Sequence, residues 1–330
     1  MKLTYLWLLT SAVLLGACSN SMDQVQMSDY PQSTVGLTTS NTQNAFFKAF
    51  YDAYETEVAA QSSVTAFLDN ANNDQEAQNQ QIETMISKGA KALVVNLVDV
   101  NQGEVVIQRY CDKVSLVFFN RSPGDKALAK CQNAYFVDGD ATQAGILQGL
   151  KVLDLWKKNP SWDKNQDGKI QFAMLEGLVG HAGAQARTKW SMSTMENYPT
   201  LGVPTELVFH EHAMFNKDVA KGVVGQWILN PEFARVEVVL ANNDAMALGA
   251  AEALSEKQIN VPLFGIDATS EALEAVKSGR MTATVLNDAK NQAKVALRLA
   301  SNLAAETDPL NGIDYRMEHR IIQVPYQEVQ

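Results

Sequence analysis

Strand-like and helix-like runs alternate along nearly the whole of this 330-residue chain, and that alternation limits the possible folds more than any other feature. Short apolar runs fall at Thr34–Thr39, Ser63–Asn70, Ala92–Asp99, Val114–Asn120 and Asn133–Gly139, with helical patterns at about Gln43–Ala60, Gln75–Ser87 and Asn101–Tyr110 among them. A helix at about Thr142–Trp156 leads to a second series. Its strands are Ile170–Gly177, Glu206–Glu211, Val236–Asn243, Pro262–Asp267 and Thr282–Asp288, each followed by a helix, with a last strand at Arg320–Tyr326. Near-continuous Val/Ile/Leu strands alternating with helices form parallel sheets covered on both faces. Roughly ten such units exceed one open sheet, so the expected class is α/β with two sheets in two lobes. No Gly/Ser- or Pro-rich linker separates the halves. The lobes are therefore expected to be joined by several strand-like crossings, which is how a hinge is built. The expected division is 34–139 with 288–323 in one lobe and 140–287 with 324–330 in the other.

Apolar residues make up 46 % of the chain and charged residues 19 %, enough for two ordinary cores. The net charge of −10 argues against nucleic acid or an anionic membrane surface as partner. Lys2 followed by the largely apolar Leu3–Leu15 reads as a signal peptide over residues 1–17, too short to span a bilayer as a mature helix. Leu15-Gly16-Ala17-Cys18 resembles a bacterial lipobox, with Cys18 as the lipidated residue and 18–33 as a polar tether. The alternative is a soluble-secretion peptide with an incidental cysteine. Cys111 and Cys131 each lie three residues before an apolar run. If those runs are neighbouring parallel strands, the two thiols enter the sheet at one level, and an exported protein can join them as a disulfide.

The stretch Asp163-Lys164-Asn165-Gln166-Asp167-Gly168-Lys169-Ile170-Gln171 follows the first nine positions of a calcium loop. Calcium takes six to eight oxygens at about 2.3–2.6 Å, from side chains at loop positions 1, 3 and 5, a carbonyl at 7 and an oxygen at 9. Gly168 at position 6 permits the sharp turn. Position 12 holds Met174 where a bidentate Glu is needed, so the loop fails as a free-standing site. His210-Glu211-His212 places two imidazoles on one face of a strand without a third ligand, and reads as structure or surface. Gly177 to Gly183 spaces its glycines G-x-x-G-x-x-G, which fails the dinucleotide fingerprint.

In open parallel sheets ligands bind beyond the carboxyl ends of the strands. Those ends carry Asn44, Asn96, Asn242 to Asp244, Asp267, Asn287 and Asp288, with His181 and Arg187 past Ile170–Gly177. Amides and carboxylates pair donors and acceptors with hydroxyl groups. Phe46 and Phe215 also lie just past strands, and an aromatic face suits the C–H face of a sugar ring. Singly, each Asn or Asp reads equally as a cap. As a set they favour a polyol ligand.

With these residues the sequence resembles the periplasmic receptors for D-galactose and D-glucose, members of the periplasmic-binding-protein-like I family that serve sugar ABC importers. The likeness runs from about Thr34 to Tyr326. It is marked by Asn96–Asp99 (NLVD), Phe118–Asn120 (FFN), Trp162–Phe172 (WDKNQDGKIQF), Ala241–Ala247 (ANNDAMA) and Val285–Ala289 (VLNDA). It implies two lobes that close on one monosaccharide, delivery to an ABC permease, possible service to a chemoreceptor, a monomer, and no catalysis. It implies that Asn44, Phe46, Asn96, His181, Arg187, Phe215, Asn243, Asp267 and Asn287 contact the sugar. It also implies that Glu237 completes a structural Ca2+ site with Asp163, Asn165, Asp167, Gln171 and the carbonyl of Lys169.

Three positions depart from the family pattern. Asn44 and Gly183 stand where the family usually has Asp, and Phe215 where it usually has Trp. These departures leave the sugar open to another hexose or pentose. They also weaken the competing reading of an exported glycosidase, which needs two cleft carboxylates. A sugar-responsive repressor of the same build would need an N-terminal helix-turn-helix where this chain has a signal segment.

Overall fold

The computed structural model describes residues 30–329, so the signal peptide, Cys18 and most of the tether lie outside the described residues. The first lobe is built from β1 (Ser33–Thr39), α1 (Ala45–Ala59), β2 (Val64–Asn70), α2 (Gln75–Ser87) and β3 (Ala92–Val95), then α3 (Gly103–Tyr110), β4 (Ser115–Phe119), α4 (Asp125–Ala129) and β5 (Ala134–Gly139). The second begins with α5 (Ala141–Lys158), β6 (Ile170–Glu176), α6 (Ala182–Asn197), β7 (Thr205–His212) and α7 (Lys217–Leu229). It continues through β8 (Val238–Ala241), α8 (Asp244–Glu256), β9 (Leu263–Phe264), α9 (Ser270–Lys277) and β10 (Val285–Leu286). The chain then returns to the first lobe for α10 (Ala289–Ala304), β11 (Met317–Glu318) and β12 (Ile321–Val324), and ends in the second with β13 (Gln327–Glu328).

The first sheet has the order β11-β12-β5-β4-β3-β1-β2 and is parallel throughout except for β11. The second has the order β7-β6-β8-β9, all parallel. Single bridges, Phe264 to Ala283 and Asp267 to Leu286, carry it on to β10, which pairs antiparallel with β13. The expected α/β architecture of two layered lobes is therefore the one observed. The two predicted strands at Pro262–Asp267 and Thr282–Asp288 shrink to two residues each, because only isolated bridges hold them together. The predicted last strand is split. Its first half completes the first sheet, Pro325 and Tyr326 cross over, and β13 joins the second sheet. With the passages after β5 and after β10, the chain crosses between the lobes three times.

Each sheet is covered on both faces. In the first lobe α1 and α10 close over Val35, Leu37, Val94, Val117 and Val137, with Phe50 stacked on Phe119 at 3.7 Å between ring centres. Ile82, Met85, Val106 and Tyr110 fill the other face, and Cys131 is buried among them. Cys111 and Cys131 are joined by a disulfide with a Cα separation of 6.0 Å, tying the end of α3 to the approach to β5. Among the described residues no helix is long and apolar enough to cross a membrane.

Candidate ligand-binding cleft

Helices follow parallel strands, so their N-termini gather at the carboxyl ends of the strands, where the lobes face one another. The capping residues therefore double as cleft residues. Asn44 caps α1, accepting from the N–H groups of Phe46 (3.0 Å) and Phe47 (3.2 Å) through Oδ1. Asn243 caps α8 through Oδ1 from Met246 (3.0 Å), and Asn216 caps α7 in the same way. His181 caps α6, its Nδ1 accepting from Ala184 (3.2 Å). An N–H can only be accepted by oxygen or by an unprotonated ring nitrogen, so these bonds fix each group's orientation. Asn44 and Asn243 keep Nδ2 for the cleft, and His181 keeps Nε2–H. Burial, with the positive charges of Arg187 and Arg121, pushes the His181 pKa down to about 4, so the ring is neutral.

The caps line a cleft of about 620 Å³ together with Phe46, Asn120, Arg121, Arg187, Phe215, Asp267 and Asn287. Phe46 and Phe215 come from opposite lobes, the arrangement needed to hold a ring from two sides. Phe215 meets His181 edge-on at 5.2 Å, and its ring occupies the space beside Gly177, where a Cβ would come within 2.2 Å. Arg187 is 8 % exposed and donates to the carbonyl of Asn242 (2.7 Å) and to the Tyr326 hydroxyl (2.6 Å), with Asp267 3.9 Å away. Burial raises the Asp267 pKa, while Arg187 and the amide of Asn287 (3.1 Å) hold it down. Arg121 donates to the carbonyls of Leu97 and Val98 and lies 5.3 Å over the Phe47 ring.

The backbone is unusual at this cleft. Asn120, Met214, Phe215 and Asp267 line it with φ of 57°, 55°, 54° and 129°. Each such non-glycine conformation costs on the order of 1–3 kcal/mol and persists where surrounding structure enforces it, often at functional sites.

Three comparisons bear on this geometry. The family profile described as a periplasmic binding protein domain matches residues 35–308. The D-galactose/methyl-galactoside binding periplasmic protein of Haemophilus influenzae is 34 % identical over 316 residues, 96 % of this chain and 92 % of that one. This chain belongs to the periplasmic binding protein family. Among solved structures, an ABC transporter solute binding protein from Bacillus halodurans with bound myo-inositol superposes with a TM-score of 0.72 at 28 % identity, covering 92 % and 96 % of the two chains. One from Actinobacillus succinogenes with bound D-allose superposes at 0.74 and 20 % identity, covering 90 % and 97 %, and speaks for the fold alone. The protein is thus a periplasmic transport binding protein and not an enzyme.

In this binding protein the cleft gathers eight of the nine expected ligand residues: Asn44, Phe46, His181, Arg187, Phe215, Asn243, Asp267 and Asn287. The ninth, Asn96, is not among the residues that line the cleft. It is fully buried away from the cleft wall, its Oδ1 accepting from the Ser40 hydroxyl (2.5 Å) and its Nδ2 donating to the carbonyl of Phe119 (3.1 Å). Neighbouring strand ends hold its Oδ1 and one of its two Nδ2 hydrogens. Asn287 is bound on both sides too, donating to Asp267 and accepting from Gln292 (2.7 Å), so it backs Asp267. Gly183 does not line the cleft, and a Cβ there would come 3.1 Å from the His181 ring. Asn120, Arg121 and Asn216 were missed, although the rule of strand carboxyl ends points to each.

The loop at 163–171 turns its oxygens inward. Asp163 accepts from Asp167 (3.2 Å) and Gly168 (2.9 Å), Asn165 from Asp167 (3.0 Å), and Asp167 from Lys169 (2.9 Å) and from the Gln171 amide (2.8 Å). Glu237 is 1 % exposed and reaches the loop, accepting from Lys164 (2.6 Å) and Gln171 (3.1 Å). Gln171 Oε1 is buried with no partner. Such an oxygen costs about 1–3 kcal/mol unless something positive meets it. The donor set therefore fits a hard cation. Among the described residues no three His, Cys, Asp or Glu side chains form a metal cluster, so amide and carbonyl oxygens would have to complete the shell. His210 pairs with Glu176 (2.7 Å) and His212 meets the carbonyl of Gly177 (3.1 Å), structural bonds in both cases.

Proposed function

We propose that this protein is the receptor of a sugar ABC importer, closing on one monosaccharide or cyclic polyol and handing it to a membrane permease. The observation that carries this reading is the cleft itself. Phe46 and Phe215 face in from opposite lobes, with fixed amide, imidazole and guanidinium donors and the Asp267 carboxylate around them. The likeness to a galactoside-binding relative and a myo-inositol-bound neighbour supports the ligand class. Neutral hydroxyls suit such a mixed wall, and the C–H face of a ring suits the aromatics.

The same reading includes a lipid anchor at Cys18 and a chemoreceptor as a second docking partner of the closed form. It also includes a Ca2+ ion held by Asp163, Asn165, Asp167, the Lys169 carbonyl, Gln171 and Glu237. The ion would neutralise buried oxygen and tie the loop to the approach to β8, away from the ligand. The deciding experiment is calorimetric titration of the mature protein with D-galactose, D-glucose, myo-inositol and D-ribose. Micromolar or tighter binding of one of them is expected. No heat with any of the four would remove this reading.

A further inference from the structure

Phe215 is one of the two aromatic residues that line the cleft, and its ring is seated on a neighbour. The tip of the ring lies over Gly177, the residue that follows β6. A Cβ at 177 would meet Cζ, Cε1 and Cε2 of the ring at 2.2, 2.4 and 2.5 Å, so a side chain there and the ring in this place exclude each other. Gly177 does not have a positive φ, so its backbone conformation does not demand glycine. What demands it is the ring.

Both sides of the contact are held. The Gly177 N–H donates to Asn242 Oδ1 (3.1 Å), and its carbonyl meets His212 Nδ1 (3.1 Å). The loop that carries the ring runs from β7 to α7 and is tied at each end. The N–H of Ala213 donates to the Glu176 carbonyl (2.7 Å), that of Asn216 to the Ala213 carbonyl (2.9 Å), and the Asn216 side chain caps α7. Between these ties Met214 and Phe215 take the left-handed conformation. With both backbones bonded in this way, the part that can yield is the ring, by rotation about its own side-chain bonds. The ring also meets His181 edge-on at 5.2 Å. His181 is held by its cap on α6 and keeps Nε2–H for the cleft.

We propose that Gly177 is a positioning residue for ligand binding: its bare Cα seats the Phe215 ring, and through the ring the edge contact with His181. The second lobe then meets the ligand with an aromatic group already in place. One methyl group at 177 drives the ring off its seat, away from His181, and the ligand loses a fixed stacking face. This rests on the cleft being the ligand site, as argued above.

The test is a double-mutant cycle of Gly177→Ala and Phe215→Ala. The first readout is the NMR signal of the His181 ring in the ligand-free protein, assigned by its loss in His181→Asn. Gly177→Ala moves it toward its position in Phe215→Ala, and adding Gly177→Ala to Phe215→Ala moves it no further. The second is calorimetry with D-galactose and myo-inositol. Gly177→Ala alone weakens whichever binds roughly tenfold, and added to Phe215→Ala it changes affinity by less than about twofold. The melting temperature follows the same cycle, so a Gly177→Ala protein too strained to fold is rescued by Phe215→Ala. Gly222→Ala is the control: it lies in α7 with open space where its Cβ would stand, and it changes neither readout. An unmoved His181 signal in Gly177→Ala overturns the proposal, as does an equal loss of affinity with and without the Phe215 ring. If neither sugar binds the wild type, the ligand reading fails separately and the NMR cycle still decides whether Gly177 seats the ring.

Discussion

Asn44→Asp exchanges one oxygen-bearing side chain for another, and the structure fixes what changes. Oδ1 of Asn44 is committed to the N–H groups of Phe46 and Phe47, so the cleft sees only Nδ2, a donor. An aspartate keeps the cap and turns a carboxylate oxygen, an acceptor, to the ligand. A negative charge at the N-terminus of α1 adds about 0.3–1 kcal/mol to stability. For a ligand hydroxyl able to donate, a charged hydrogen bond of about 1.5–3 kcal/mol replaces a neutral one of about 0.5–1.5 kcal/mol, a gain of roughly 1 kcal/mol or about fivefold in affinity. For a ligand oxygen that accepts from Nδ2 and cannot donate back, the unpaired carboxylate costs about 1–3 kcal/mol, or roughly 5- to 150-fold. The substitution should therefore raise the melting temperature slightly and reorder the preference among D-galactose, D-glucose, myo-inositol and D-ribose. Calorimetry on both proteins with all four ligands checks this. An unchanged rank order, with all affinities within twofold, would refute the assignment of Nδ2 to the ligand. Asn44→Ala should cost about 1 kcal/mol of stability through the lost cap alone.

The remaining predictions concern stability. Reducing the Cys111–Cys131 bond opens a loop of sequence separation 20 and should cost about 3 kcal/mol on chain-entropy grounds, read by urea unfolding, with sugar affinity unchanged because the bond is remote from the cleft. Chelating calcium should lower the melting temperature. Glu237→Ala should abolish that dependence and expose the N–H groups of Lys164 and Gln171, and equal melting with and without chelator in the wild type would remove the ion. His181 has a folded pKa of about 4, below the unfolded value, so the unfolded chain takes up its proton first as pH falls. Wild type should therefore lose up to about 3 kcal/mol relative to His181→Asn between pH 6.5 and 4, and parallel stability curves for the two would contradict this.

Much of this was legible in the sequence, for definite reasons. Parallel sheets buried on both faces leave unbroken apolar runs, and strand carboxyl ends collect the caps. Both are local signals, and they located Asn44, His181 and Asn243. The bonds of Asn96 were not legible, because a strand-end amide reads the same whether it turns to a ligand or to Ser40 and Phe119. The bond between Tyr326 and Arg187 was invisible in the sequence. The environment of Tyr326 is made by Gly139, Gln143 and Arg187, which lie 139 to 187 positions away. The shortness of β9 and β10 was equally hidden, since it depends on bridges between segments and on nothing within either.

The three crossings also bear on how such a chain reaches the periplasm. One face of the first sheet is covered by α10, residues 289–304, and its edge is completed by β12, residues 321–324. Five strands of that sheet emerge within the first 139 residues of a chain threaded N-terminus first, together with α1 to α4, yet α10, which shares one face with α1, arrives some 150 residues later. The lobe begun first is thus completed only near the end of the chain. Until then one face of its sheet is only partly covered, which leaves the lobe short of a complete core. The device that lets the lobes bend about one another also delays their folding until nearly the whole polypeptide has arrived.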